Sequence, residues 1–557
     1  MSATGGPHRR PPLTGCSTPS AADPVDRRAF LRNGLAATAG SVLLATTPAG
    51  ATAAQPGVGP YGSLDGRSPD GNGLVLPEGF ASRIVAVGGS PVNGTDYRWP
   101  VFPDGKGTVP VADGGWILAC NHEVFDFQTP GERWGGASAV RFAADGSITG
   151  ASAILTDSHS NSRGATTPWG TWLSCQEAFG GDGRVWECDP MGHDPAVARN
   201  ALGVRTHGSV AVDPAGGHCY LTEAHRDGRL YRFTILDETD SDAVLADGLL
   251  EAMAVDRDGG VSWLAVPDPS ATVIPTRVQV ADGFVTPVGG GVWVHDGVLL
   301  FTTALDDRVH AVDLAGQRHS VVWDGSGHRQ PLVGIGDLTV HTRSGDLFVV
   351  EDRGDMEVAV VSPEGEVAPF CRMVGADHRL SQATGPCFDP SGTRFYVSSL
   401  RGRGEALVRD MVPAIDWGTG AEGRHVGVTW EVSGPFRAKP SVILEGGPEV
   451  PSTTTEIRTS PATTTSHSIA TTTSHSIATT TSHAVGTTTV ATVEPGTPSP
   501  STTLERAGDL SVSEGPVEAG GPRREPSGGL PAVGLGAAAV LIAGGAALVL
   551  RRRRSDR

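Results

Sequence analysis

The sequence predicts an all-β fold, a six-bladed β-propeller, and three observations lead there. Apolar runs rich in Val, Trp, Tyr and Leu are broken by GGDG (180–183) and DPAGG (213–217), which is the chemistry of strands joined by tight turns. A unit of apolar strand, Pro/Ser/Gly/Asp turn and second strand with a small or acidic end recurs roughly six times, and radial repetition is how a propeller limits exposed sheet edges. A β-sandwich competes, but units of roughly 30 to 70 residues are too long for sandwich strands, which turn every 8–12 residues.

Composition divides the 557 residues into unlike pieces, of which only residues 60–440 read as globular. Residues 1–53 carry Arg27 and Arg28 ahead of an apolar Ala/Gly run (34–45) and a small-residue site at 51–53. This resembles a twin-arginine export signal, so the mature chain is expected to begin near Ala54, outside the cytoplasm. The net charge of −18 argues against nucleic-acid binding. Of seven cysteines, Cys16 falls in the signal, and the other six form no Cys-x-x-Cys pair, which argues against a zinc site of the usual spacing.

Along the globular piece, GLVLPEGFASRIVAVGG (73–89) opens the strand pattern and DGGWILACNHE (113–123) gives the first clear strand with a polar end. Two strand pairs follow between residues 166 and 233. Further units lie at 291–316, 337–365 and 385–402. In the first pair, Cys175 and Cys188 are symmetric about Gly181 and Asp182, so a tight turn there predicts that they face each other as reduced neighbours.

From about residue 445 Thr, Ser and Pro dominate, and ATTTSHSI recurs at a period of eight, placing His467, His475 and His483 in register. Residues 445–527 have too little apolar surface to fold and are expected to form a disordered stalk. Codon-level duplication accounts for the histidines without a metal. Residues 530–550 are apolar and long enough for one membrane helix, and Arg551 to Arg554 put the tail (551–557) in the cytoplasm. LPAVG (530–534) is similar to a cell-wall sorting signal, but Val533 replaces the threonine of the cleaved bond, so a retained membrane anchor is expected.

TPWGTWLSC (167–175), GRVWECDP (183–190), AVDPAGGHCYLTE (211–223), FVVEDRGDMEV (348–358), TGPCFDPSGTRFYVSS (384–399) and TWEVSGPFR (429–437) together resemble the PhoX-type alkaline phosphatases, in the same order across nearly the whole globular piece. The resemblance implies an exported six-bladed propeller that hydrolyses phosphate monoesters with calcium and iron held mainly by carboxylates. Hard cations prefer such oxygen ligands, and clustered metals polarise a phosphoryl oxygen. Carried over by position, the metal-ligand candidates are Glu123, Glu177, Glu223, Glu351 and Asp352, with no catalytic nucleophile assigned.

The departures are specific. Ser162 stands where the family has an iron-ligating cysteine, within Asn161-Ser162-Arg163-Gly164-Ala165. Gln176, Gly208 and Ala224 stand where acids are expected, Gly289-Gly290-Gly291 lacks its acid, and Ile335-Gly336-Asp337 replaces Val-Asp-Asn. The iron centre is therefore depleted, and two outcomes stay open for the cavity: a surviving calcium site using Glu177, Glu223 and Glu351, or no metal at all. Two functions follow: a surface-anchored, metal-dependent phosphomonoester hydrolase acting on phosphate esters, or a degenerate propeller binding an envelope ligand. Glu123, Glu177, Glu223 and Glu351, all at strand ends, are expected to converge near the axis.

Overall fold

The structure, a computed structural model, describes residues 54–124, 135–178, 180–236, 244–326, 331–375, 378, 381–402 and 427–438. The signal, stalk and membrane segment expected from the sequence lie outside the described residues, among which no helix is long and apolar enough to cross a membrane.

Among the described residues there are six sheets, each a blade and antiparallel apart from one short parallel pair at Gln55–Pro56, and almost no helix. The first blade runs from its inner strand Pro103–Pro110 through Trp116–His122 and Gly135–Phe142 to Ile148–Ser158. The inner strands of the next five are Asn161–Thr166, His207–Asp213, Gly289–His295, Ile335–His341 and Ala383–Phe388. Each inner strand packs beside those of its two neighbours, and the sixth returns to the first, so the ring closes around an axis.

The closure is made by chain from both ends. Ala81–Val87 pairs with Val428–Ser433 as the outermost strand of the sixth blade, and Gln55–Pro56 and Leu74–Val75 pair with Glu366–Met373 at the rim of the fifth. Side chains then staple these edges. Phe80 meets Phe436 at 4.9 Å between ring centroids, Tyr61 lies 5.4 Å from Phe370, and the Tyr61 hydroxyl donates to Asp346 at 2.8 Å. Such edge-to-face contacts add roughly 0.5–1.5 kcal/mol each beyond the area they bury.

The TPWGTW stretch locks the second blade. Thr167 and Thr171 close a turn through backbone and hydroxyl bonds. Trp169 Nε1 and the Thr171 hydroxyl both donate to the buried Glu187 carboxylate, at 2.8 and 2.7 Å, and Arg199 Nε donates to its other oxygen at 2.7 Å. Trp172 Nε1 reaches Asn121 of the first blade at 2.8 Å, while the Asn121 amide donates to the Ser162 carbonyl at 2.7 Å.

One expected register is corrected. Cys175 pairs with Val185, and Cys188 pairs with Trp172, so the two cysteines are not opposite each other. The hairpin is centred on Gly180, because Glu177 leaves the ladder to bond the Ser160 carbonyl and the Gln176 N–H already pairs with Arg184. The six cysteines of the described region are free and buried.

Candidate functional site

In every blade the second strand ends beside the start of the inner strand, at His122, Gln176, Glu223, Thr303, Glu351 and Ser399. The next residue then donates its N–H to the residue just ahead of the inner strand: Glu123 to Phe102, Glu177 to Ser160, Ala224 to Thr206, Ala304 to Val288, Asp352 to Gly334 and Leu400 to Gln382, at 2.5 to 3.0 Å. These six positions are equivalent around the ring, and three are acids.

Beside them each inner strand carries a register shift, such as Pro103/Lys106, Asn161/Gly164 and Ile335/Leu338. A bulge inserts one residue and re-aims side chains. Asp104, the Ser162–Arg163 pair and Asp337 occupy these bulges, and they join Glu123, Glu177 and Asp352. The Ser162 hydroxyl donates to Asp104 Oδ2 at 2.9 Å. Arg163 Nη1 lies 3.5 Å from Glu177 Oε2, and Nη2 lies 3.5 Å from Asp352 Oδ2. Arg401 stands 3.8 Å from Glu123 at one side. The Lys106 ammonium is taken up by the carbonyls of Asp104, at 2.5 Å, and Thr384, at 3.2 Å.

The electrostatics follow from crowding acids in a buried place. Burial, then Asp104 and Glu177, hold the Glu123 carboxyl well above the usual range. Burial raises Glu177 to about 7 against the opposing pull of Arg163, and raises Asp337 to about 6; Asp352 is also raised, chiefly by burial. Burial pulls Arg163 down, but Asp352, Asp104, Asp337 and Glu177 outweigh it and hold the guanidinium more firmly charged than usual.

Of the expected residues, the structure brings together Glu123, Glu177 and Asp352. Glu223 and Glu351 are held elsewhere, which corrects the expected convergence. Glu223 accepts Tyr231 Oη at 2.8 Å and Arg277 Nη1 at 2.9 Å. Glu351 accepts the backbone N–H groups of Val333, Asp355 and Glu357, each at 3.1 Å. Both sit one residue before the ring position, and side chains alternate along a strand, so they point into their own blades. Asp104, Arg163 and Asp337 were not among the candidates.

Residues 135–290 match the family described as Alkaline phosphatase PhoX. Over that stretch the chain resembles the PhoX type. Among solved structures, Pseudomonas fluorescens PhoX in complex with vanadate, a transition state analogue, has a TM-score of 0.52 at 14% identity, covering 65% of this chain and 96% of that one; the likeness is one of fold. A gluconolactonase from Xanthomonas campestris (TM-score 0.33, 13% identity, 64% and 90% covered) and the calcium-binding regucalcin from Agrobacterium tumefaciens (TM-score 0.32, 15% identity, 64% and 97% covered) are more distant. No curated protein matches the chain by sequence.

The residues present do not fit the calcium–iron cluster that the PhoX resemblance implies. The position of the expected thiolate is a hydroxyl already bonded to Asp104. A guanidinium stands between Glu177 and Asp352, where cations would have to sit. Among the described residues, no three His, Cys, Asp or Glu side chains form a metal cage. What the arrangement can do is hold a cation: Asp104, Glu177, Asp337 and Asp352 surround one guanidinium, with Asp104 Oδ1 and Asp352 Oδ1 buried and lacking hydrogen-bond partners.

Proposed function

We propose that this protein is an exported, surface-tethered PhoX-type propeller that has kept the phosphatase scaffold and uses its acidic axial site mainly for binding, with phosphomonoester hydrolysis reduced to a residual rate. One observation carries this reading: Arg163 lies among Asp104, Glu177, Asp337 and Asp352 at the centre of the ring. A phosphate dianion meets the carboxyls of Asp104, Glu177, Asp337 and Asp352 at close range there, around a guanidinium they already engage, unless metals intervene. A ligand bearing positive charge is favoured instead.

The second reading, a working metal-dependent phosphomonoester hydrolase using calcium, is favoured by the unpartnered oxygens of Asp104 and Asp352, acceptors of the kind a hard cation takes. Turnover of p-nitrophenyl phosphate by the full-length protein, with calcium, with calcium plus iron and with chelator, decides between them. We expect rates on the order of a hundredfold or more below those of Pseudomonas fluorescens PhoX assayed alongside, since loss of metal-supporting groups costs at least 10–100-fold. Comparable rates would overturn the binding reading. Protease added to intact cells should release a folded propeller, and protection of the propeller would refute surface display.

A further inference from the structure

We infer that Arg163 is the resident cation of the axial site, a side chain that holds the place a metal ion would take and keeps divalent cations out while it is there. This deepens the reading above, and its readout is cation binding rather than turnover, so each fails on its own data.

Arg163 is 9% exposed and is delivered by the bulge of the second inner strand, directly after Ser162. Its two terminal nitrogens reach carboxylates from two different blades, Glu177 of the second and Asp352 of the fifth. Asp104 and Asp337, from the first and fifth, also act on its charge. Yet the fit is loose. Both contacts are 3.5 Å, against 2.7–2.9 Å for close charge-assisted bonds. By contrast, Arg277 and Glu223 in the same protein meet at 2.9 Å.

Two buried groups point to a site shaped for something other than a guanidinium. Asp104 is 2% exposed and its Oδ1 accepts no hydrogen bond, while Arg163 Nε donates none. A planar fork thus neutralises the acids without satisfying them. The oxygens left around it come from Asp104, Glu177, Asp337 and Asp352. That is an all-oxygen set suited to a hard divalent cation such as calcium. With Arg163 removed, the same oxygens lose the competing positive charge and hold protons more tightly, and a calcium ion entering the site displaces those protons.

Calorimetric titration with calcium chloride, together with thermal melts in calcium or in chelator, tests this on the full-length protein. Arg163→Ala should bind calcium on the order of a hundredfold more tightly than the native chain, as removal of one unit charge a few ångströms away allows. Its melting temperature should rise with calcium, whereas the native chain and Arg163→Lys should melt alike with and without it. Should Arg163→Ala fold poorly in chelator, recovery on adding calcium or millimolar guanidinium ion supports the inference. Failure of both to restore it overturns the inference, as does native protein that binds calcium as tightly as the variant.

Discussion

Glu177 should make the native protein less stable as pH rises from acid to neutral. Its carboxyl titrates at about 7 in the folded chain, against an ordinary value of 4.5, chiefly because it is buried. Below pH 4.5 both states carry the proton. Above it the unfolded chain releases the proton while the folded chain keeps it, so stability is lost progressively until about pH 7 and is level beyond. At about 1.4 kcal/mol per pH unit, the loss is on the order of 3 kcal/mol. Glu177→Gln keeps the shape and removes the titration, and Arg163 retains Asp352, Asp104 and Asp337 as charged neighbours. Urea unfolding of both proteins from pH 4.5 to 8, in chelator so that no cation replaces the proton, reads the difference. Surface carboxylates slope the same way in both chains and cancel. The variant should gain on the native chain by roughly 2–3 kcal/mol across that window. A flat difference, or a native chain that gains on the variant, would refute the raised Glu177 carboxyl.

Two further outcomes follow from the ring. Gly290→Ala places a methyl group 2.2 Å from the Gly336 carbonyl oxygen of the next blade and 2.5 Å from the Thr302 hydroxyl, so urea unfolding should show a loss of about 1–3 kcal/mol; an unchanged midpoint would mean that the inner strands are not so close. Removing residues 54–87 takes away Ala81–Val87 and leaves Val428–Ser433 as an open edge, so the truncated chain should be degraded in limited proteolysis where the longer chain resists; equal resistance would deny that this strand closes the ring.

The fold was legible because strand periodicity and turn chemistry act locally, and six similar units leave few ways to bury their faces. The site was legible only in part, and the reason is a matter of one residue. Glu123, Glu177, Glu223 and Glu351 all read as acids at strand ends, yet two end the strand and two lie one step beyond it. Aligning the six endings, ACNHE, LSCQE, YLTEA, LFTTA, FVVED and YVSSL, shows the ring column directly as Glu123, Glu177, Ala224, Ala304, Asp352 and Leu400. Asp104 and Asp337 had no such signal, since a bulge is set by pairing across strands, and Asp-Gly and Gly-Asp read as turns. At residues 162 and 163 the sequence drew attention to a missing thiolate. The gain of a cation beside it carries more of the site's character.

The stretch that most strongly marks the family has a role different from the one its specificity suggests. None of Thr167, Trp169, Thr171 or Trp172 takes part in the acidic cluster. Trp169 and Thr171 satisfy the buried Glu187, and Trp172 ties the second blade to Asn121 of the first. Asn121 in turn donates to the Ser162 and Arg163 carbonyls, at 2.7 and 3.1 Å, which fixes the bulge from which Arg163 projects. The main chain at residue 163 is thus held by packing that is indifferent to its side chain. A guanidinium can therefore occupy the axis without loosening the blades around it. In a ring of this kind the signature reports how the blades are joined, and the few side chains of the ring column and its bulges decide what the axis holds.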